Sequence, residues 1–529
     1  MTDLIFQLIF SVIGGALLTA CGYKMFQIYQ LSSYRTKAVY NWFKSTKFDY
    51  AARYFSLAFL SFMGMFVYVG CFGQREIVGY IGAVIFVLFS AVFIGVTAKE
   101  RKKTPLRFTP RVIRCIVLDF VLSVAETFAL LKLGELLPPS YAFTAIAMLF
   151  IPVTVAASHI IMAPFEKMNN AGYKRRAEKV LASNPALIKI GITGSFGKTS
   201  AKNILAKMLE RKYRVAYSPA SYNTPMGLSR FINNELEPNA QVFIAEMGAR
   251  QRGDIRELAQ MINPSYALIT AIGNQHLETF GSLENIVKTK YELVENIAAG
   301  GLCVFNGDSE ETKEMFNRCQ TDKYLTGANG LDGAYACYAD VSVGSRGTEF
   351  DMSIGGKKVH VSTKLLGQHV APLMVACAAI AYSLGVSLDE IASACEQMEP
   401  IEHRLQLIER GETTVIDDAY NSNTQGSKNA LEVLSKFDGT RIVVTPGLVE
   451  LGEQESEANE ELGKAIAENA DIAMLIGARA QAIKNGALKS GMAEEKIFVL
   501  KSLEDATEKL KEIVGKKVVL FENDLPDNY

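Results

Sequence analysis

The chain has 529 residues, 49% of them hydrophobic, and its 55 Lys and Arg residues nearly balance its 56 Asp and Glu residues. This length is too great for one typical domain, and the hydrophobic content is high for a protein that is soluble throughout. The formal net charge of −1 gives no basic excess of the kind that binds nucleic acid, so no nucleic-acid partner is expected.

The first 165 residues are basic and apolar, whereas the rest of the chain is acidic. They hold 15 Lys and Arg against 7 Asp and Glu, and the remainder holds 40 against 49. Each of five apolar runs has about the ~20 residues that a helix needs to cross a bilayer. These runs are roughly 4–23, 54–73, 77–98, 112–133 and 141–162. Because a cleaved signal peptide is not followed by four more such segments, we predict a membrane region of about five transmembrane helices over residues 1–165.

The loops between these runs indicate the orientation in the membrane. The first and third loops are rich in Lys and Arg, whereas the second and fourth hold only Arg75 and Lys132. The positive-inside rule predicts an N-terminus outside the plasma membrane, several membrane crossings and a cytoplasmic C-terminal part. Within the fourth run, Asp119 and Glu126 share one helical face, which marks either a functional pathway or a seam between helices.

From residue 187 onward, apolar strands alternate with helical patterns, which predicts a parallel sheet covered by helices. Residues 334–366 instead alternate in the manner of antiparallel hairpins, and the α/β pattern resumes near Thr413. The predicted strands are "LIKIGIT", "VFIAEMG", "YALITAIG", "GLCVFNG", "TTVIDDAY", "RIVVTPG", "IAMLIGA" and "KIFVL". The predicted boundaries are 1–165 for the membrane region, 166–187 for a polar connector, 188–400 for a central domain and 401–529 for a C-terminal α/β domain.

The stretch "GITGSFGKTS", Gly191 to Ser200, lies between a predicted strand and a predicted helix. It departs from the strict P-loop pattern, because the position five residues before Gly197 is Ile192. Backbone N–H groups of a glycine loop at a helix N-terminus form an anion cradle, in which Lys198 can reach the outer phosphates and Thr199 can bind Mg²⁺. ATP is the expected nucleotide, since no guanine-reading Asn-Lys-x-Asp segment follows. The alternative is a purely structural turn.

Further polar residues follow the next predicted strands. Glu246 ends one buried strand and is suited to Mg²⁺, although such a carboxylate can also cap the next helix. Asn274 and His276 follow another strand, and Lys290 lies fourteen residues further on. Because carboxyl ends of parallel strands meet at one sheet edge, these residues are expected beside the glycine loop.

Six segments of the chain resemble the motifs of a known protein family, and they occur in the same order as in that family. They are "TGSFGKTS", "YNTPMGL", "EMGARQRGDI", "GNQHLETFGSLENIVKTK", "HRLQ" and "DDAYNSN", followed by "ELGE". From about Ile190 to Gly491 the chain resembles the Mur ligases, specifically the MurF type, which joins D-alanyl-D-alanine to UDP-N-acetylmuramoyl-tripeptide. The glycine loop of that family is itself T-G-x-x-G-K-T.

The apolar runs predict an α-helical membrane region, and the resemblance implies that α/β domains follow it, namely a P-loop central domain and a Rossmann-like C-terminal domain. It implies an ATP-dependent ligase at the cytosolic face of a bacterial membrane, acting through an acyl phosphate with two Mg²⁺ ions. The expected partners are a UDP-linked or lipid-linked peptidoglycan precursor, an amine such as D-Ala-D-Ala, and membrane lipid.

The resemblance also assigns residues. Lys290 matches a carbamylated lysine that helps hold the second metal, Asn223 lies near the reacting phosphate, and completion of the site requires domain closure. Implied catalytic residues are Lys198, His276, Lys290 and Asn223, and implied metal ligands are Thr199, Glu246, His276 and Lys290. The resemblance places Arg404 at the γ-phosphate and Asp418 at the ribose. The full set of implied ATP-binding residues is Thr193, Gly194, Ser195, Gly197, Lys198, Thr199, Ser200, Asn274, Arg404, Asp418, Tyr420 and Asn421.

Three features depart from the MurF pattern. Val370 and Leu373 stand where the adenine-side segment of the family has asparagines. The segment "VVTPGLVELGE" also differs, so amine and acceptor selectivity are expected to differ. Five apolar runs stand where the family has a soluble domain for the UDP-linked acceptor, which favours either a lipid-linked acceptor or a simple membrane tether.

Other functions fit parts of the pattern. One is a ligase for another polymer, such as poly-γ-glutamate, and another is an amidating subunit, whose four-cysteine metal ribbon is not seen here. A catalytically silent membrane scaffold or nucleotide sensor of cell-wall synthesis is the alternative outside the enzymes. Lys198, Glu246, His276 and Lys290 together argue against silence, because a scaffold has no chemical need for them.

Overall fold

The computed structural model describes residues 2–45, 52–56, 58–59, 63, 76–98, 104–136, 144–219, 222–273, 277–419, 423–449 and 451–523. The chain divides into two compact units, a helical one within residues 1–170 and an α/β one spanning residues 171–525. Each unit has its own buried core.

The first unit is built from helices. Their bounds are α1 Thr2–Cys21, α2 Tyr23–Leu31, α3 Thr36–Ser45, α4 Glu76–Ala98, α5 Pro110–Leu136 and α6 Thr144–Ala182. Four of the five predicted apolar runs fall in α1, α4, α5 and α6, while most of the second run lies outside the described residues. In the described part of the chain, two helical stretches, Leu4–Cys21 and Ile146–Ala182, are long and apolar enough to cross a membrane. The predicted connector is a continuation of α6, whose residues from Ala171 onward belong to the second unit.

Helix α1 packs tightly against α5 in the helical unit. A Cβ atom on Gly15 would lie 2.5 Å from Cγ2 of Val124 and 2.9 Å from its backbone nitrogen, so only glycine permits this approach. On the same helix α5, Asp119 is buried and lies beside Thr19 of α1 and Thr154 of α6. Its position among three helices fits the seam that the sequence left open as one alternative.

The second unit begins with a nine-stranded sheet in the order β2-β3-β1-β4-β5-β6-β7-β8-β9. The strands are β1 Ile188–Thr193, β2 Val215–Tyr217, β3 Val242–Glu246, β4 Tyr266–Ile269, β5 Leu302–Asn306, β6 Asp322–Ala328, β7 Ala334–Gly344, β8 Gly347–Ile354 and β9 Lys357–Thr363. The sheet is parallel from β2 to β7, and β7, β8 and β9 pair antiparallel. The predicted parallel strands and the predicted hairpins over 334–366 are therefore confirmed.

Helices cover this sheet. Their bounds are α7 Lys198–Leu209, α8 Pro225–Asn234, α9 Asp254–Ile262, α10 Leu277–Phe280, α11 Leu283–Glu295, α12 Glu310–Arg318, α13 Val370–Ser383 and α14 Leu388–Glu396. Helix α13 is apolar on nearly every face because it lies in the core with α7 on one side of the sheet. Its composition thus reflects burial within the α/β unit.

A second, six-stranded sheet has the order β10-β11-β15-β12-β13-β14. Its strands are β10 Gln406–Arg410, β11 Thr413–Asp418, β12 Thr440–Thr445, β13 Ile472–Ile476, β14 Ile497–Leu500 and β15 Lys517–Glu522, and its helices are α15 Thr424–Leu434, α16 Glu455–Asn469, α17 Ala480–Lys489 and α18 Leu503–Glu512. All neighbours are parallel except β10, which runs antiparallel to β11. The first strand of this second α/β fold begins at Gln406.

The order of the first sheet determines where the polar strand ends meet. Strand β1 lies between β3 and β4, with Ile192 opposite Glu246 and Thr193 opposite Ile269. The glycine loop after β1 is therefore flanked by Glu246 on one side and by the segment after β4 on the other. This is the sheet edge at which ligands of α/β folds bind.

Candidate functional site

The glycine loop is held by tight backbone contacts. Gly197 has φ 76° and caps α7 in the left-handed conformation that glycine adopts without strain. A Cβ atom on Gly194 would lie 2.0 Å from Thr270 Oγ1. Ser195 donates from its backbone nitrogen to Ala271 O at 2.6 Å and from Oγ to Gly273 O at 3.0 Å. The segment after β4 thus fixes the loop at the N-terminus of α7, where backbone N–H groups favour an anion.

Lys198 lies over this loop. Its Nζ donates to Gly194 O at 2.8 Å and to Ser195 O at 3.1 Å. Burial lowers the pKa of Lys198 to about 8, with Arg404 acting in the same direction and Glu246 opposing it. A phosphate group entering the loop would replace the two carbonyl oxygens as the partner of this cation.

Glu246, at the end of β3, brings several predicted residues together. Its carboxylate is 2% exposed and accepts hydrogen bonds at 3.0 Å from Thr199 Oγ1 and from Asn223 Nδ2. Asn223 is itself held, because its backbone oxygen accepts from Gly248 N at 2.9 Å. The sequence predicted Thr199, Asn223 and Glu246 as separate contributors, and the fold joins them in one hydrogen-bonded group, here called the Glu246 cluster.

Lys202 completes the Glu246 cluster and was not predicted. It is 1% exposed, its Nζ lies 3.4 Å from Glu246 Oε2, and it donates to Ser218 O at 2.8 Å. Burial lowers the pKa of Lys202 while Glu246 opposes that shift. The signal was present in the sequence: Lys202 lies four residues after Lys198, hence one helical turn further on the same face.

Lys290, on α11, is 3% exposed. Its pKa lies well below the ordinary value, first because of burial and second because of the positive charge of Lys198. An amine in this position is neutral over a wider pH range than a surface lysine, which is the state that reacts with carbon dioxide. Lys290 is therefore a buried amine, and its carbamylation stays a prediction.

Four predicted residues, Asn274, His276, Tyr420 and Asn421, lie outside the described residues. Within the described ranges, no group of three or more His, Cys, Asp or Glu side chains is arranged to hold a metal. Thr199 and Glu246 nevertheless present a hydroxyl and a carboxylate side by side, and hard oxygen donors of this kind suit Mg²⁺. The residues present thus fit one magnesium ion at the edge of the sheet.

The second α/β fold contributes Arg404 on a strained segment. His403 and Leu405, on either side of Arg404, have φ 57° and 47°, which is unusual for residues with side chains. The end of β11 holds this segment: Asp417 Oδ2 lies 2.7 Å from His403 Nδ1, and Asp418 Oδ1 accepts from Leu405 N at 3.3 Å. Strain maintained by surrounding contacts is common at functional sites.

Asp418 itself is half-buried, and the charge of Arg404 acts on it. Burial raises the pKa of Asp418 to about 6, and the Arg404 guanidinium opposes this shift. Glu522, at the end of the neighbouring β15, hydrogen-bonds to Asp418 and accepts from Ser427 Oγ at 2.7 Å. Glu522 was not predicted, because its place beside Asp418 follows only from the pairing of β15 with β11.

A cavity of about 190 Å³ joins these parts. Its wall includes Phe196, Gly197 and Ser200 of the phosphate loop and its helix, and Arg404 and Asp418 of the second fold. Val370 and Leu373, which stand where the family has asparagines, also line the cavity. Further polar lining side chains are those of Asn306, His369, Gln425 and Asn429. The cavity is therefore lined both by the phosphate loop and by the half-buried carboxylate of Asp418.

A glycine loop with a lysine and a threonine, a strand-end carboxylate and an arginine from a second α/β fold define an ATP-dependent ligase. Comparison with known proteins agrees. The Mur ligase middle domain matches residues 192–381, and the glutamate ligase domain of Mur ligases matches residues 403–522. The chain belongs to the Mur ligase family, and it is a ligase of the MurF type that forms a peptide bond.

Individual relatives support the MurF type. The UDP-N-acetylmuramoyl-tripeptide–D-alanyl-D-alanine ligase of Bacillus subtilis is 30% identical over 338 residues, covering 63% of this chain and 72% of that protein. The enzyme of the same name from Escherichia coli is 27% identical, covering 58% of this chain and 67% of that protein. MurF of Acinetobacter baumannii has the same fold, with a TM-score of 0.62 at 24% identity over 67% of this chain and 77% of that one.

Proposed function

We propose that this protein uses ATP to join D-alanyl-D-alanine, or a related amine, to the peptide of a peptidoglycan precursor. The Glu246 cluster is the observation that carries this proposal, because it gathers Thr199, Asn223 and Lys202 directly beside the phosphate loop. The names of the curated relatives support the choice of substrates.

ATP would lie along the 190 Å³ cavity. Its outer phosphates would meet the loop N–H groups and Lys198, and its ribose hydroxyls would donate to Asp418. The residues Thr193, Gly194, Ser195, Gly197 and Ser200 shape the cradle. Asn274, Tyr420 and Asn421 remain predicted ATP contacts, and Val370 and Leu373 give the adenine side an apolar wall.

Mg²⁺ would be held by Thr199 and Glu246, with His276 and Lys290 as predicted ligands of a second ion. When bound, such ions screen the negative charge of the phosphates. Lys202 limits the net charge around Glu246 and keeps the carboxylate oriented when Thr199 turns from it toward a ligand. The chain thus presents both oxygen donors for a metal ion and a cation, Lys202, that balances their charge.

The reaction follows from these positions. A carboxylate oxygen of the acceptor attacks the γ-phosphorus of ATP, and the bond to the β-phosphate oxygen breaks to release ADP. The amine then attacks the carbonyl carbon of the acyl phosphate, loses a proton and expels inorganic phosphate. Lys198 and Arg404 would stabilise the charge that develops on the transferring group, while Asn223 orients it.

Closure of the second fold over the first would protect the acyl phosphate. Arg404 and Asp418 come from one fold and Lys198 from the other, so the full set of contacts forms only when the two approach the same nucleotide. Exclusion of water at that moment prevents hydrolysis of the intermediate. The strain at His403 and Leu405 supports a fixed position for Arg404 in that closed arrangement.

We further propose that residues 1–165 anchor the ligase in the bacterial plasma membrane through several spans, with the α/β unit in the cytoplasm. The apolar helices α1 and α6 and the basic loops between the runs support this proposal. The family matches begin only at residue 192, so the helices are a feature of this chain beside the shared ligase fold. A lipid-linked acceptor fits such an anchor, and a simple tether is the alternative.

The direct test incubates the detergent-solubilised full chain with ATP, Mg²⁺, D-alanyl-D-alanine and either UDP-linked muramoyl-tripeptide or its lipid-linked counterpart. Mass spectrometry of the amide product is the readout, with Lys198→Ala as the inactive control. Product from either acceptor supports the ligase, and product only from the lipid-linked one assigns acceptor binding to the helical unit. Product from neither, with nucleotide binding retained, contradicts the proposal and favours another polymer or a scaffold.

A further inference from the structure

Helix α2 holds an extended segment of the helical unit through three side chains. Gln27 Nε2 donates to Thr104 O at 2.6 Å, and Gln30 exchanges two hydrogen bonds with the backbone of Arg107, at 2.8 and 2.9 Å. Tyr23 Oη accepts from Leu106 N at 3.3 Å. These three residues are spaced by four and three positions, so they share one face of α2. The segment leading into α5 is therefore fixed in place.

This segment delivers arginines to the start of α5. Thr109 caps the helix by accepting from Val112 N at 3.4 Å, and Pro110 is its first residue. The guanidinium of Arg111 lies 3.7 Å from the centre of the Tyr34 ring, whereas Arg114 is paired with Glu166 at 2.6 Å. Ser33 and Tyr34 both have left-handed φ values, which turns the chain after α2 and brings the Tyr34 ring to Arg111.

His159 of α6 lies against the same aromatic side chains. Its ring stacks on Tyr29 with 4.1 Å between centres and lies 5.6 Å from the ring of Tyr34. It is 6% exposed, and within the described part of the chain neither of its ring nitrogens has a hydrogen-bond partner. The buried Nε of Arg111 likewise has none among the described residues. Because buried polar groups are normally paired, two neighbouring donors in this state indicate a ligand that accepts hydrogen bonds.

The chemistry of the group selects an anion. A planar guanidinium and an imidazole beside the N-terminus of a 27-residue helix can donate hydrogen bonds to the oxygens of a phosphate. Apolar side chains adjoin Arg111 in the sequence: Phe108 is 63% exposed and Ile113 is also exposed. The basic loops place this end of the helical unit on the predicted cytosolic side, where the headgroup of a lipid meets water.

We propose that Arg111 and His159, with Tyr29 and Tyr34, form a binding site for the phosphate or diphosphate headgroup of a polyprenyl lipid. This inference rests on the proposed ligase function: the site would hold, at the membrane surface, the polyprenyl lipid that carries the acceptor peptide. The diphosphate accepts hydrogen bonds from Arg111 and His159, and the first units of the hydrocarbon chain lie against exposed apolar side chains of the helices.

The test measures binding of farnesyl diphosphate to the full chain in detergent without ATP or amine, by isothermal titration calorimetry. Inorganic pyrophosphate, farnesol and phosphatidylglycerol micelles are the comparison probes. We expect farnesyl diphosphate to bind at least about tenfold more tightly than each of them, since hydrogen bonds to charged groups and apolar burial both contribute. Equal binding of pyrophosphate indicates a free-anion site, equal binding of phosphatidylglycerol a general lipid surface, and equal binding of farnesol an apolar site; each overturns the proposal.

Variants locate the site. Arg111→Gln and His159→Phe are each expected to weaken binding roughly ten- to a hundredfold. Lys132→Gln, a cation removed near the opposite end of α5, is the matched control and leaves binding unchanged. Unchanged binding of farnesyl diphosphate in both variants overturns the assignment of the site to these residues. If a variant fails to fold, the comparison of the four probes on the wild-type chain tests the proposal. Binding is measured without turnover, so the two hypotheses can fail separately. A wild-type chain that does not bind farnesyl diphosphate but is an active ligase on the UDP-linked acceptor refutes only the lipid site. A chain that binds farnesyl diphosphate but has no ligase activity on either acceptor refutes only the proposed function.

Discussion

The Glu246 cluster and the buried ring of His159 differ in whether their polar atoms have hydrogen-bond partners within the protein. In the Glu246 cluster, Thr199, Asn223 and Lys202 each hydrogen-bond or ion-pair within the chain. In the helical unit, both nitrogens of His159 lack a partner among the described residues. The first group is ordered before any ligand arrives, which suits electrostatic catalysis of phosphoryl transfer. On our proposal, the second is completed by a bound lipid headgroup.

The largest expected effect is on the ordered group. Lys198→Ala should lower kcat/KM roughly 10³-fold or more, because it removes the cation that neutralises the transferring phosphoryl group. Coupled release of ADP is the measurement. Lys207→Ala, an exposed lysine on the same helix that pairs with Glu210, is the control and should retain full activity. Retained turnover in Lys198→Ala would remove the phosphate loop from the mechanism.

Lys202→Met tests whether the Glu246 cluster depends on internal pairing. Removing the lysine leaves the carboxylate buried without its cation, which should lower the free energy of unfolding by about 3 kcal/mol. The double variant Lys202→Met with Glu246→Gln should recover most of that loss, as read by urea denaturation. If the two changes destabilise additively, the ion pair does not organise the cluster.

Lys290 is predicted to lose its carbamate in acid. Its pKa is lowered by burial and by Lys198, so the neutral amine persists until the pH falls below that lowered value; protonation then prevents reaction with carbon dioxide. Lys290→Gln should reduce turnover roughly 10- to 100-fold, the range for loss of a group that orients a metal. A carbamate carbon signal in ¹³C NMR after equilibration with labelled bicarbonate should vanish in Lys290→Gln and persist in Lys288→Gln, its exposed neighbour on α11. A signal unchanged in Lys290→Gln would exclude carbamylation there.

The smallest effect concerns Asp418. Its pKa is raised to about 6, so it is ionised above that pH and protonated below it. Because the carboxylate is the stronger acceptor for ribose hydroxyls, the KM for ATP should rise a few-fold as the pH falls through about 6. In Asp418→Asn the KM should be higher at neutral pH and independent of pH in this window. A parallel pH dependence in the variant would assign the titration to another group.

Much of the α/β fold could be predicted because its strands are short apolar runs that end in polar or glycine residues. Strands β1, β3, β4 and β5 followed from this pattern, whereas β2 has only three residues, too few for a recognisable period. The sequence pattern also predicted Thr199 and Glu246, and the family resemblance implied Asn223. It did not predict their mutual hydrogen bonds, because the order of β3, β1 and β4 in the sheet is a tertiary property.

Residues missed by sequence reasoning share a physical cause. Lys202 and Glu522 are each buried and bonded to a side chain on another strand or helix. The sequence around an ionisable residue does not show where such a partner lies. His159 was missed for a similar reason, because in the sequence it is an isolated polar residue within an apolar run. The packing of α2, α5 and α6 brings it beside Tyr29 and beside Tyr34, whose ring contacts Arg111.

The most direct test of the ligase mechanism follows an oxygen atom. An acceptor peptide labelled with ¹⁸O in its reacting carboxylate is incubated with the full chain, ATP, Mg²⁺ and D-alanyl-D-alanine, and the released phosphate is analysed by mass spectrometry. An acyl phosphate transfers one carboxylate oxygen to phosphate, so each amide formed should release one phosphate carrying a single ¹⁸O. Amide product with unlabelled phosphate would contradict attack of the carboxylate on the γ-phosphorus and, with it, the roles given to Lys198, Asn223 and Arg404.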